Sequence, residues 1–468
     1  MSPLDRVFDA EEFRRLGHFL IDQLADNLSE NLSRESEKVL DYQEPDDHYH
    51  FWMNVGEMDT ERYFEEVMRR SIQLHHPKFM GHQVTPPAPL AALAAMQGAL
   101  LNSGGAVYEM APASSALESV VIDKLKPYFG FDQGDGIITS GGTIANLTAL
   151  ICARNIKATE DVWQHGQSQK YAFMVSEEAH YCIDRAVRIM GWGSEGIIKV
   201  PVDDRFTMRT ELLSDLYEKA TASGITVLGV VGSAPTTSTG IYDDLEAIGR
   251  FCQKHSLWYH IDAAHGGPAV FSEKYKFLMA GCEMADSITV DAHKMMMVPS
   301  LTTMLFFKNR KDSYRTFAQQ AQYLWSASDE EWYNYGKRTM ECTKIMLSTR
   351  IYAMINAYGI SVFGDYVARC YDMAKTFADM IIAAPEMELA VAPDSNIVCF
   401  RVVNESRLSL DDLNIKIRDR ILKDGSFYIV QTKLRGEVFL RVSLMNPFTS
   451  VDDLSQLMHT IRGMISSS

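Results

Sequence analysis

Lys294 closes the stretch Asp286-Ser-Ile-Thr-Val-Asp-Ala-His-Lys294, and Asp262 stands 32 positions earlier within Trp258-Tyr-His-Ile-Asp-Ala-Ala-His-Gly-Gly267. Each reactive side chain sits at or just past the end of a short apolar run. A lysine amine forms a Schiff base with an aldehyde, and a carboxylate keeps a pyridine nitrogen protonated. These are the two protein groups that pyridoxal phosphate (PLP) chemistry most needs. A strand-end lysine is commonly just a solvated loop residue, so the pair needs support from other positions.

Three further strand ends supply it. Gly136-Ile-Ile-Thr-Ser-Gly-Gly-Thr-Ile-Ala-Asn146 runs from a strand into a helix. Its two glycines let backbone N–H groups approach an anion at the helix N-terminus, and Thr143 adds a hydroxyl. The segment reads as a phosphate cradle or as a plain glycine turn; it is neither a Walker loop nor a full Gly-x-Gly-x-x-Gly. His180, in Ser176-Glu-Glu-Ala-His180, can lie on an aromatic ring, serve as an acid or base, or be structural. Gly232-Ser-Ala-Pro-Thr-Thr-Ser-Thr-Gly240 is a loop whose hydroxyls suit a ring oxygen or a carboxylate. His260, Asp262 and His265 could suggest a metal site, but no nearby Cys, His or Glu completes a ligand set. Asp262 paired with a ring nitrogen fits better, and no metal is expected.

The elements that must hold these residues follow from periodicity. Residues 11–34 predict an amphipathic helix, 35–57 a polar arm, and 59–74 a second helix ended by Pro77. Residues 90–101 are apolar almost all round and should be buried on several sides. From about 115 to 310, helical segments (116–128, 144–157) alternate with strands (136–139, 171–175, 226–233, 257–261, 286–290, 302–307). That alternation predicts an α/β domain with a largely parallel sheet. Residues 342–384 read as helical. The remainder predicts a small α+β domain with strands at 396–403, 427–431 and 437–443 and helices at 410–423 and 451–466. The expected division is a helical arm at 1–75, a large α/β domain at 76–384 and a small domain at 385–468.

The 468 residues carry a formal net charge of −16 and seven scattered cysteines without a Cys-x-x-Cys pair. Nucleic acid and anionic membrane both demand clustered Lys and Arg, so neither is an expected partner. No apolar run approaches the roughly 18 residues that span a bilayer. The acidic, polar N-terminus does not read as a signal peptide, and reduced thiols in a cytoplasmic protein are the simplest reading.

Taken together, His76-Pro-Lys-Phe79, Tyr108-Glu-Met-Ala-Pro112, Thr139-Ser-Gly-Gly-Thr-Ile-Ala-Asn146, Ala179-His180, Pro235-Thr-Thr237, His260-Ile-Asp-Ala-Ala264, Asp291-Ala-His-Lys294 and Arg441 in Phe439-Leu-Arg-Val-Ser443 are in the order of one family. Over roughly residues 60–460 the chain resembles the group II PLP-dependent amino-acid decarboxylases. The resemblance implies the aspartate-aminotransferase-like α/β fold (fold type I), with PLP as cofactor and a homodimer whose active site lies at the subunit interface; the N-terminal arm would wrap the second subunit. It implies that Lys294 holds PLP, Asp262 pairs with the pyridine nitrogen, His180 stacks on the ring and Ala264 packs on its other face. Gly142, Thr143 and His293 would bind the phosphate, Thr237 would lie near the ring, and Arg441 would meet a substrate carboxylate. A loop tyrosine often returns a proton in this family, and here the stretch 326–336 offers Tyr333 and Tyr335.

Two departures bear on the branch. Many members have Asn-Pro-His-Lys where this chain has Asp-Ala-His-Lys, and a carboxylate near a phosphate is repulsive, so Asp291 is expected to point away or to donate nothing. Met295-Met-Met-Val-Pro299 resembles the glutamate and cysteine-sulfinate branch, whereas Met80-Gly-His-Gln83 stands where that branch has an Asn-Gln pair; His82 or Gln83 would touch the substrate side chain. The expected activity is α-decarboxylation of a small acidic L-amino acid (aspartate, glutamate or cysteine sulfinate). Decarboxylation of tyrosine or tryptophan is the runner-up. A transaminase or aldolase-type lyase on the same fold, and a non-catalytic binding protein, are the competing classes.

Overall fold

The computed structural model describes residues 2–317, 331–403 and 409–466. Chain contacts divide them into two compact units. One comprises residues 87–372 with 393–397; the other comprises the N-terminal residues to 86 together with 373–392 and the C-terminal residues from 398. These limits do not coincide with the three-way division expected above, because the N-terminal and C-terminal segments share one unit.

The larger unit is built on a seven-stranded sheet: β1 (Asp135–Thr139), β2 (Lys170–Ser176), β3 (Ile197–Val200), β4 (Ile225–Ser233), β5 (Trp258–Asp262), β6 (Ser287–Asp291) and β7 (Thr303–Phe307). The spatial order is β1-β7-β6-β5-β4-β2-β3. Strands β6, β5, β4, β2 and β3 run parallel, and β7 lies antiparallel to both β6 and β1. This is the largely parallel α/β sheet predicted from the alternating pattern. Its strands are near-continuous apolar runs because helices cover both faces. The helix Gly142–Lys157 shows why: Ala145, Leu147, Ala149, Leu150, Ile151 and Ala153 are all buried, and they join Phe173, Leu228, Val231 and Leu305 in one core.

Helices Tyr181–Ile189, Leu213–Ala222 and Leu245–His255 supply crossovers that the periodicity did not predict. They are short, and each buries only one stripe. The expected helix 342–384 is instead two, Ser348–Tyr358 and Ser361–Ile382. Gly359 breaks it, at φ +77°, a conformation that favours glycine. The helix Pro89–Leu101 differs most from expectation. Only Ala91 is buried, whereas Leu93, Met96, Leu100 and Leu101 are exposed.

The second unit holds an antiparallel sheet of β8 (Met387–Leu389), β9 (Ile397–Val402), β10 (Val430–Leu434) and β11 (Glu437–Ser443), ordered β10-β11-β9-β8. Helices Leu410–Asp424 and Val451–Ser466 bury Leu413, Ile417, Leu454 and Leu457 with Val398, Phe400 and Leu440 of the sheet. The N-terminal segment is tied into this unit by polar contacts. Arg34 pairs with the buried Asp453 at 2.8 Å, and the Val39 N–H donates to the Gly425 carbonyl at 2.8 Å. The polar arm at 35–57 contains a helix, Pro45–Asn54, opened by Pro45.

Candidate active site

In an open α/β sheet ligands bind beyond the carboxyl ends of the parallel strands. Here those ends surround a cavity of about 290 Å³ lined by residues that include Gly142, Thr143, His180, Thr237, Asp262, Ala264, His293 and Lys294. All eight positions named above for the cofactor therefore come to one place.

Asp262 ends β5 and is held from two sides. The Ala264 N–H donates to its Oδ1 at 3.2 Å, and the Asn146 side-chain amide donates to its Oδ2 at 3.0 Å. Asn146 lies one helical turn beyond Gly142, so the helix that opens at the glycines also carries the amide. Its Oδ1 is 2.9 Å from His260 Nε2, whose Nδ1 is 2.8 Å from Ser287 Oγ; Trp258 Nε1–H donates to that hydroxyl at 3.0 Å. Both ends set the direction of this chain of hydrogen bonds. A carboxylate only accepts, so Asn146 presents its NH₂ to Asp262 and its carbonyl to His260. Burial pushes the His260 imidazole down to about 4, so it is neutral, with its proton on Nε2 and Nδ1 accepting from Ser287. Asn146 ends the Thr139–Asn146 motif, in which the resemblance gave it no task. Its spacing from Gly142 and the shared face of His260 and Asp262 were the available signals.

His180 caps the helix Tyr181–Ile189, where its Nδ1 accepts from the Cys182 N–H at 3.3 Å. Burial pushes this imidazole down despite the Asp262 carboxylate nearby. On the phosphate-cradle side, Gly141 adopts φ +114° and Gly142 begins the helix. A Cβ on Gly142 would lie 3.0 Å from Asp291 Oδ1. The next residue after Gly142, Thr143, also lines the cavity. His293 Nδ1 lies 3.0 Å from the Thr302 carbonyl.

Asp291 does not point away but lines the cavity, where its carboxylate accepts and donates nothing, the second of the two expectations. Its buried carboxylate pairs with Lys294 Nζ at 2.9 Å, lies 3.7 Å from His293 Nε2 and accepts from the Thr303 hydroxyl. The expectation counted only a repulsion from phosphate and missed two donors on the protein side, Lys294 and Thr303, with His293 beside them. Burial alone would push Asp291 up, but Lys294, His293 and Thr303 together hold it below its ordinary value. Burial likewise pushes the Lys294 amine down, and the attraction of Asp291, reinforced by Asp262, reverses this to a net rise.

The tyrosine candidates do not line the cavity of this single chain. Tyr335 is buried, its hydroxyl is 2.8 Å from Ser119 Oγ, and its ring lies under Lys344 and Arg338. It is a core residue of its unit and not an exposed loop tyrosine. Tyr333 meets Tyr108 edge-on at 5.5 Å, and the Asn334 side chain accepts from the Tyr108 N–H. Neither tyrosine lines the cavity. Residues 326–330 lie outside the described residues. Arg441, His82 and Gln83 belong to the other unit. Arg441 is buried on β11, and burial pushes its guanidinium down. His82 is pushed down by the surrounding protein and by the Arg441 charge.

The cavity meets the requirements of PLP. Lys294 would carry the aldehyde carbon and Asp262 would face the ring nitrogen. His180 and Ala264 would bracket the ring, and Gly142, Thr143 and His293 would hold the phosphate. Among the described residues no group of three or more His, Cys, Asp or Glu could hold a metal ion. Residues 59–403 match the family described as the pyridoxal-dependent decarboxylase conserved domain.

The chain belongs to that family. Among relatives of this decarboxylase, L-aspartate decarboxylase dtxS4 of Metarhizium robertsii is 30% identical over 76% of this chain and 72% of its own length. The L-2,4-diaminobutyrate decarboxylase of Acinetobacter baumannii is 28% identical over 86% and 82%. The crystal structure of mouse CSAD in apo form superposes with a TM-score of 0.89 at 24% identity, covering 97% of this chain and 99% of that one. The protein is thus a PLP-dependent amino-acid decarboxylase of fold type I. When bound, PLP supplies the electron sink that cleavage of the Cα–carboxylate bond needs.

Proposed function

We propose that this decarboxylase releases CO₂ from a small acidic L-amino acid, with aspartate the first candidate, and acts as a homodimer. The observation that supports the chemistry is the convergence of Lys294, Asp262 and His180 on one cavity beyond the sheet. Lys294 is the group that exchanges with the substrate amine. Asp262 would pair with the nitrogen of bound PLP and keep it protonated, and His180 would stack on the ring. The resemblance to the family assigns Arg441 to a substrate carboxylate and His82 or Gln83 to the substrate side chain. The acidic substrate is favoured by the relative named as an aspartate decarboxylase.

Dimerisation is favoured by the exposed apolar side chains of Pro89–Leu101, together with exposed Met340 and Ile345 of the same unit. A helix that is apolar all round needs cover that the described residues of this chain do not give it. A second copy would supply that cover.

The deciding experiment measures CO₂ release from aspartate, glutamate, cysteine sulfinate, 2,4-diaminobutyrate, tyrosine and tryptophan without a keto acid. The acidic substrates should show the highest kcat/KM. A higher value for an aromatic or diamino acid would overturn the substrate assignment, and a requirement for a keto-acid acceptor would overturn decarboxylation. Lys294→Ala should abolish turnover. Leu100→Glu with Leu101→Glu should shift the sedimentation coefficient to that of a monomer.

A further inference from the structure

Asp291 stands where many family members carry asparagine, and its carboxylate faces the one amine the chemistry depends on. The Asp291–Lys294 pair is 2.9 Å long, and the Asp291 side chain is only 3% exposed. Thr303 on β7 donates to the same carboxylate, and His293 stands 3.7 Å away on its other side. Asp291 also lies against the first turn of Gly142–Lys157, since a Cβ on Gly142 would come within 3.0 and 3.1 Å of its two oxygens. The carboxylate therefore sits beside both the lysine amine and the glycine turn.

We propose that Asp291 restrains cofactor capture: in the cofactor-free chain it holds Lys294 as an ammonium and places a negative charge beside the turn that would receive the phosphate. The proposal rests on Lys294 being the cofactor lysine, as assigned above. An ammonium has no electron pair with which to attack an aldehyde. Capture of PLP must first remove one proton from Nζ; the neutral amine then adds to the aldehyde carbon. The new C=N bond forms as the carbonyl oxygen leaves in one water with the two remaining N–H hydrogens. The proton removed first returns to the imine nitrogen or passes to solvent. Below its pKa, the reactive fraction of the amine falls about tenfold for each pH unit.

The groups facing Lys294 work in the same sense. Asp291 comes from the end of β6 and Asp262 from the end of β5, and both favour the ammonium, while burial opposes it; the Cys182 thiol nearby is pushed up by burial and stays neutral. His180 also feels the Lys294 charge. Removing the Asp291 charge leaves Asp262 as the remaining carboxylate that opposes burial at Lys294. The amine becomes easier to deprotonate, and the phosphate no longer meets a carboxylate. Both effects speed capture.

The test uses full-length protein stripped of cofactor and mixed with PLP, with growth of the absorbance band near about 400–430 nm followed from about pH 6.5 to 9.5. The wild-type rate should still be climbing at the top of the range. Asp291→Asn keeps the side-chain shape; its rate should level off at lower pH and exceed wild type by roughly tenfold or more at about pH 7.5. Superimposable profiles, or a slower variant, would overturn the proposal. If the variant does not fold, Asp291→Ser is measured in its place, and a wild-type profile that levels off below about pH 8 would overturn the proposal in any case. A Lys294→Ala protein that develops the same band would instead overturn the lysine assignment.

Discussion

Asn146 and Asp262 are joined by a buried hydrogen bond of 3.0 Å, and Asn146 in turn accepts from His260 at 2.9 Å. The amide thus passes the orientation of His260, Ser287 and Trp258 on to the carboxylate that faces the cavity. Asn146→Leu removes a donor from Asp262 and strands the His260 N–H. A lost hydrogen bond to a charged group is worth about 1.5–3 kcal/mol, so kcat should fall roughly tenfold to a hundredfold. The absorbance band of bound PLP should shift in the same variant. Steady-state kinetics with unchanged kcat and an unmoved band would show that Asp262 needs no such support.

Gly142 is required by space. A Cβ there would meet both Asp291 oxygens at about 3 Å, closer than side-chain atoms ordinarily approach. Gly142→Ala should therefore distort the turn that would receive the phosphate and weaken PLP affinity, at a cost of about 1–3 kcal/mol typical of overpacking. Equilibrium titration of the stripped variant with PLP measures this. A Kd within twofold of wild type would refute the argument.

The Glu118–Lys344 pair supports β1, the strand that leads into the same turn. Both side chains are buried, and Glu118 also accepts from the Ile138 N–H of β1 at 2.8 Å. Lys344→Met leaves a buried carboxylate uncompensated and should cost about 3–5 kcal/mol. Glu118→Gln combined with Lys344→Met should recover part of that loss, since the stranded charge is gone. Denaturant unfolding of the single and double variants is the check, and a double variant less stable than Lys344→Met would contradict it.

His260 makes stability depend on pH. Burial holds it at about 4, below the 6.5 of an unfolded histidine. Below about 6.5 the unfolded chain takes up a proton that the folded chain refuses, so stability present above 6.5 is lost as pH falls toward 4. Asp243, raised by burial to about 6, acts in the opposite sense over part of this window. The comparison is therefore between wild type and His260→Gln. Tm should fall less steeply between about pH 6.5 and 4.5 in the variant; parallel curves would show that His260 does not titrate this way.

The local chemistry of this protein is determined by its sequence. Apolar runs that end in Asp262 and near Lys294, the glycines at 141 and 142, and the helical stretch that follows them depend on backbone preference and hydrophobic period, which short segments carry by themselves. That is why the largely parallel sheet is legible in the sequence, whereas the eight cavity positions are named as a set only through the resemblance to the decarboxylase family. The direction of a side chain is different, because it depends on neighbours distant in sequence. Asp291 turns inward because Thr303, from the antiparallel β7, donates to it while Lys294 pairs with it. Tyr335 is buried because Ser119 and Lys344 surround it, although it follows a polar stretch. The helix Pro89–Leu101 has an apolar composition that predicts burial, but its neighbours within the chain leave much of it uncovered. Composition states how much apolar surface must be hidden; only the tertiary structure decides where the chain itself hides it.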